Sequence, residues 1–156
     1  MLRERLGKGD RDHNMPRKVD HIGVAVHDVV DAARFYRDGL GLSVSEPEIN
    51  PSERIKIILV SLDHTLIELM EPLEADTVVG KFLDTRGEGL HHICLKVDDV
   101  EEIVRSVVAH GAQLVDEQPR TDLHGRKLVF VHPKSANGVL VELVQDTEKD
   151  IEKSGK

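Results

Sequence analysis

His91-His92-Ile93-Cys94-Leu95-Lys96-Val97-Asp98-Asp99-Val100 decides how this chain is read, because its pattern occurs twice. The stretch Asp20-His21-Ile22-Gly23-Val24-Ala25-Val26-His27-Asp28-Val29 carries a His, an Ile, a Val, an Asp and a Val at the same offsets. His21 thus matches His92, and Asp28 matches Asp99, 71 residues on. Further along, Leu66-Ile67-Glu68-Leu69 matches Leu140-Val141-Glu142-Leu143 with a displacement of 74, so one copy holds a three-residue insertion. A repeat of this length marks two copies of one supersecondary unit that needs its neighbour to bury a core.

Hydrophobic periodicity gives each copy the order β-α-β-β-β. Val19–Val26 alternates and is rich in β-branched residues, which predicts a strand with His21, Gly23 and Ala25 on one face. Asp31–Leu40 reads as a helix, capped by Asp28 or Asp31, with Ala32, Phe35 and Tyr36 as its buried stripe. A short strand over Leu42–Pro47, a loop over Asn50–Glu53 and a hairpin of Ile55–Leu62 and Thr65–Glu71 complete the first copy. The second copy repeats this with strands at His92–Val97, Gln113–Gln118, Lys127–His132 and Val139–Val144. Its helix, Val100–His110, buries Ile103, Val104, Val107 and Val108. The expected fold is α+β: two tandem βαβββ modules forming one curved, half-closed mixed sheet with helices outside. Residues 18–146 form the single domain, as module one (18–73), a linker (74–89) with a short helical pattern, and module two (90–146). Residues 1–17 read as a flexible extension and 147–156 as a charged tail.

Composition narrows the partners. A net charge of −8 argues against nucleic acid or an anionic membrane surface. No apolar run approaches the ~20 residues of a membrane span. The single cysteine, Cys94, excludes an intrachain disulfide and fits a reducing compartment, hence the cytoplasm, or the mitochondrial matrix in a eukaryote.

The duplication places one His on the first strand and one Glu on the last strand of each copy. His21, Glu68, His92 and Glu142 together make one candidate metal centre on the concave face. Imidazole and carboxylate ligands suit a divalent ion of the Co, Ni, Mn, Fe or Zn set. Four protein donors leave two octahedral positions open, the mark of a catalytic rather than a structural site. His91, one residue from His92, points to the opposite face by strand alternation and reads as structural.

Val-Asp-His-Ile-Gly-Val-Ala-Val, Gly-Glu-Gly-Leu-His-His-Ile, Val-Asp-Asp-Val and Phe-Val-His-Pro-Lys-Ser with Gly-Val-Leu-Val-Glu-Leu resemble the methylmalonyl-CoA epimerase family of the vicinal oxygen chelate superfamily. The resemblance spans Val19 to Gln145. It implies interconversion of (2R)- and (2S)-methylmalonyl-CoA through an enediolate, a divalent metal with Co2+ favoured, and a homodimer. His21, His92 and Glu142 match the family's ligands, and Glu68 falls at the fourth ligand position. Epimerisation needs proton removal on one face and delivery on the other. Glu142 is one candidate acid/base. Where some family members carry a second Glu, this chain has Lys56, so the expected partner is Lys56, Glu53 or a water, with pairing to the substrate carboxylate as the alternative role of Lys56. Lys134, Ser135 and Gly138 form a turn expected to contact CoA or substrate, with Arg120, His124 and Lys127 as weaker candidates. A glyoxalase-like lyase or isomerase acting on a thiol adduct is the alternative enzyme, and a metal-free small-molecule-binding protein of the same fold is the alternative from another class.

Overall fold

A computed structural model describes residues 15, 16 and 18–147. The extension expected over 1–17 and the tail over 147–156 therefore lie almost wholly outside the described residues. Module one comprises β1 (Lys18–Ala25), α1 (Val29–Arg34), β2 (Glu48–Asn50), β3 (Ile55–Leu62) and β4 (Thr65–Pro72). Then come α2 (Val78–Arg86) and module two: β5 (Gly89–Val97), α3 (Val100–Ala109), β6 (Arg120–Thr121), β7 (Lys127–Val131) and β8 (Val141–Gln145). The eight strands form one sheet in the order β2-β3-β4-β1-β5-β8-β7-β6. Each module pairs its first and last strands in parallel, β1 with β4 and β5 with β8, and the modules join through antiparallel β1 and β5. This is the paired βαβββ sheet that the repeat predicts.

Equivalent residues build equivalent cores. Asp28 caps α1 by accepting from the backbone N–H of Val30 and Asp31, and Asp99 caps α3 by accepting from those of Glu101 and Glu102. Val29 packs with Val60 and Leu69 behind module one, as Val100 packs with Val129 and Leu143 behind module two. These clusters fill the convex side. On the concave side Ala25, Ile57 and Met70 meet Val79 and Leu83 of α2, so the expected linker is a capped helix closing one end of the trough.

Several elements differ locally from the sequence pattern. α1 begins two residues early and gives way at Phe35–Gly39 to a π-helical turn, so its buried stripe is Val29, Ala32, Ala33 and Tyr36, and Phe35 stands 63% exposed. α3 buries Val100 and half-buries Ile103, Val104 and Val107, while Val108 is exposed. The strands expected at Leu42–Pro47 and Gln113–Gln118 reduce to single bridges at Val44 and Leu114. The edge strands form instead at β2 and β6, where the chain comes alongside β3 and β7.

Candidate metal centre and catalytic cleft

The four residues singled out by the repeat converge. His21 Nε2 and His92 Nε2 lie 3.0 Å apart. Glu142 Oε2 stands 3.2 Å from the first and 3.1 Å from the second. Glu68 Oε2 sits slightly further back, 3.6 and 3.9 Å from the same nitrogens. Strand pairing explains the convergence: His21 and His92 sit on the central strands β1 and β5, and Glu68 and Glu142 on the strands flanking them. Gly23 provides the space, since a Cβ there would overlap the His92 ring.

Two β-bulges finish the site. In the β1–β5 ladder Asp20 is skipped between Val19 and His21, and His91 is skipped between Leu90 and His92. A bulge lets neighbouring residues share a face, so strand alternation misplaces both. His91 is therefore not on the opposite face: it lines the cleft beside His92. The two bulged residues are themselves repeat equivalents, and they do equivalent things. Asp20 Oδ2 accepts from His21 Nδ1 at 2.9 Å, and His91 Nδ1 lies 3.0 Å from His92 Nδ1. Each partner engages the Nδ1 of its histidine and leaves Nε2 facing the centre, the arrangement that orients metal-bound imidazoles. Burial, and then the charge of His92, hold His91 down at about 4, so it is neutral and can accept from His92. Asp20 is half the signal that sequence reading missed. It stands next to His21 in the motif, but only the bulge turns it inward.

Electrostatics point to a cation. Burial works against the imidazolium of His21, yet the hydrogen bonds it donates to Asp20, Cys94 and Glu142 raise its pKa far above the ordinary value. Burial likewise opposes the Glu142 carboxylate, and hydrogen bonds to His21 and His92 overcome it and lower its pKa strongly. Burial raises Glu68, countered by His21 and His92. The pocket thus gathers three carboxylates, Asp20, Glu68 and Glu142, around two imidazoles, a surplus of negative charge that favours a cation. Two imidazoles and a carboxylate, from His21, His92 and Glu142, converge closely enough to share one divalent ion, with Glu68 slightly further back. Cys94, buried behind His21, has its thiol pushed up to about 12 chiefly by burial.

The centre lies in a cleft of about 850 Å³ between the modules. Glu53 lines it, as do Arg120 and His124. Lys56 does not. It alternates with Ile55 and Ile57, which face the cleft, and so points to the convex side, where its Nζ pairs with Glu71 at 2.8 Å. Lys134 and Ser135 are also elsewhere: they line a separate 530 Å³ depression beside the C-terminal end of α3. Gly138 supplies a left-handed turn (φ 89°) in the same β7–β8 connection, and Lys127 pairs outside the cleft with Glu101. Sequence reading also missed Arg126, which binds Asp122 at 2.9 Å and Asp20 at 3.2 Å and so ties the His21 partner in place.

Two βαβββ modules that converge two imidazoles and two carboxylates in one trough define a class of protein, and residues 20–130 match the model of the Glyoxalase/Bleomycin resistance protein/Dioxygenase superfamily. The mitochondrial methylmalonyl-CoA epimerase of Dictyostelium discoideum is 36% identical over 127 residues, 81% of this chain and 76% of that protein. The crystal structure of methylmalonyl-CoA epimerase from Mycobacterium tuberculosis superposes with a TM-score of 0.81 at 33% identity, over 97% of this chain and 99% of that one. A further methylmalonyl-CoA epimerase, in complex with methylmalonyl-CoA and NH4+, superposes at a TM-score of 0.80 and 31% identity, covering 86% and 97%. The chain belongs to that superfamily and, within it, to the methylmalonyl-CoA epimerase family.

Proposed function

We propose that this enzyme interconverts (2R)- and (2S)-methylmalonyl-CoA by moving the proton on C2 between the two faces of that carbon. The observation that carries this reading is the placement of four convergent donors and a separate carboxylate, Glu53, in one cleft wide enough for an acyl thioester. His21, Glu68, His92 and Glu142 hold one divalent cation, with Co2+ favoured and Ni2+, Mn2+, Zn2+ and Fe2+ suited to the same donors. The bound cation supplies Lewis-acid stabilisation of the negative charge that the substrate oxygens take up as the proton leaves. Asp20 and His91 hold the imidazoles in register. Glu142, whose Oε2 faces both imidazoles, is one acid/base. Glu53 is the second. One carboxylate takes the C2 proton while the other, carrying a proton, delivers it to the opposite face. The two exchange roles for the reverse reaction. Lys56, turned outward, has no part in this.

His124 and Arg126, which line the cleft, are better placed than Lys134, Ser135 or Gly138 to meet the acyl-CoA. The reading carries with it a homodimer and a reducing compartment, the cytoplasm or mitochondrial matrix. Among the described residues, no helix is long and apolar enough to cross a membrane. A lyase acting on a thiol adduct and a metal-free binding protein of this fold are not favoured: several relatives are named methylmalonyl-CoA epimerases, and His21, His92 and Glu142 converge as donors. The experiment is incubation of either epimer with metal-loaded enzyme in deuterated water. Inversion with deuterium entering C2 is the expected result. A protein that carries metal but incorporates no deuterium at C2 rules the assignment out.

A further inference from the structure

We propose that Arg120 is a positioning residue for the second acid/base, clasping Glu53 across the open side of the trough and holding its carboxylate toward C2 of the substrate. The inference rests on the assignment of Glu53 above. It begins from topology. Glu53 follows β2 and Arg120 opens β6, the first and last strands of the eight-strand order. By strand pairing these are the two most distant edges of the sheet. The sheet curls until they meet, and Arg120 Nη1 donates to Glu53 Oε1 across the mouth. Module one thus supplies the carboxylate and module two the group that fixes it.

Both partners are held for the purpose. Glu53 sits in the turn over residues 51–54, where the Asn50 side-chain oxygen accepts from Glu53 N at 3.1 Å and from Ser52 Oγ at 2.8 Å. Arg54 completes the turn in the left-handed region (φ 52°), which bends the chain back into β3 and leaves Glu53 at the apex. Arg120 is fixed on three sides: by Glu53, by Asp116 Oδ2 at 3.4 Å, and by the face of Phe130, whose centroid is 5.6 Å from the guanidinium carbon. The Phe130 ring then meets His92 edge-on at 5.7 Å. One aromatic ring therefore separates the clasp from the donor set. The side chains of Glu53 and Arg120 remain 32% and 40% exposed, and pairs that exposed add at most about 1 kcal/mol to folding. Fixing a reacting group in place has far more leverage: a displacement of ~1 Å can cost about 100-fold in rate.

The test uses the metal-loaded enzyme and the variants E53Q, R120A, R120K and E53Q/R120A, matched for metal content and melting temperature. Inversion and deuterium uptake at C2 are followed by NMR from each epimer separately. R120A is expected to lower kcat for inversion about 10- to 100-fold while KM moves by less than about 3-fold. R120K, which keeps a cation opposite Glu53, recovers most of that loss. The double variant is no slower than E53Q alone, because Arg120 acts through Glu53. In R120A, as in E53Q, deuterium uptake survives from the epimer whose C2 proton faces Glu142, a face selectivity that a general loss of structure does not produce. A rise in KM at unchanged kcat, or additive losses in the double variant, overturns the positioning role while leaving Glu53 as the base. Full inversion by E53Q overturns the assignment of Glu53 and the clasp with it.

Discussion

Removing the Asp20 carboxylate tests whether the bulges exist to orient the donors. Asp20 Oδ2 stands 2.9 Å from His21 Nδ1 and its side chain is only 12% exposed, so water does not readily replace it. A charge-assisted bond of this kind is worth about 1.5–3 kcal/mol. Loss of such a partner typically weakens metal binding about 10- to 100-fold, which at about 1.4 kcal/mol per tenfold is nearly the same energy. D20A is therefore expected to raise the Kd for Co2+ by about 10- to 100-fold. D20N keeps an acceptor for His21 Nδ1–H but loses the charge. Neutral bonds contribute about 0.5–1.5 kcal/mol, so D20N should fall short of the parent by only about 1 kcal/mol. Arg126 retains Asp122, and Lys96 retains Asp146, so neither cation is stranded in the variants. H91A, which removes the neutral partner of His92, should cost less than D20A. Isothermal titration with Co2+, supported by the Co2+ absorption spectrum as a report on ligand geometry, reads the ranking directly. A folded D20A that binds Co2+ with the parent's affinity and spectrum would refute the argument that Asp20 orients His21.

Two other outcomes follow from the same site. G23A places a Cβ inside the volume of the His92 ring, and overpacking of that kind costs about 1–3 kcal/mol. It should lower the melting temperature and weaken Co2+ binding by tenfold or more, the second effect showing that His92 has moved. In metal-free protein, burial opposes the Asp20 carboxylate, but His21 and Arg126 outweigh it and hold its pKa near 2 against an ordinary 3.8. A lowered carboxylate pKa stabilises the fold above the ordinary value, and the contribution is lost as pH falls through the folded one. Urea unfolding should therefore show the parent's advantage over D20N shrinking by about 2 kcal/mol between pH 5 and pH 2. A constant gap would mean that Asp20 is not so held.

Read alone, the chain determines a great deal here, because duplication doubles every local signal. Alternation puts His21 and Gly23 on one strand face, and the repeat puts His92 on the equivalent strand. Matching Leu-Ile-Glu-Leu and Leu-Val-Glu-Leu runs put Glu68 and Glu142 on the strands beside them. Sheet pairing between repeats then has little choice but to bring the four together. What the pattern could not carry was any departure from it. Period-two alternation assumes an unbroken ladder, so the bulges at Asp20 and His91 were invisible, and with them the partners that orient both histidines. Lys56 was misjudged from position in a motif, although its own alternation with Ile55 and Ile57 turns it outward. The pairing of Glu53 with Arg120 lay furthest from view. These residues stand 67 positions apart, on opposite edges of the sheet, and no local period relates them. Only the curl of the closed sheet makes them neighbours, since curvature is a property of all eight strands packed against their helices and not of any one segment.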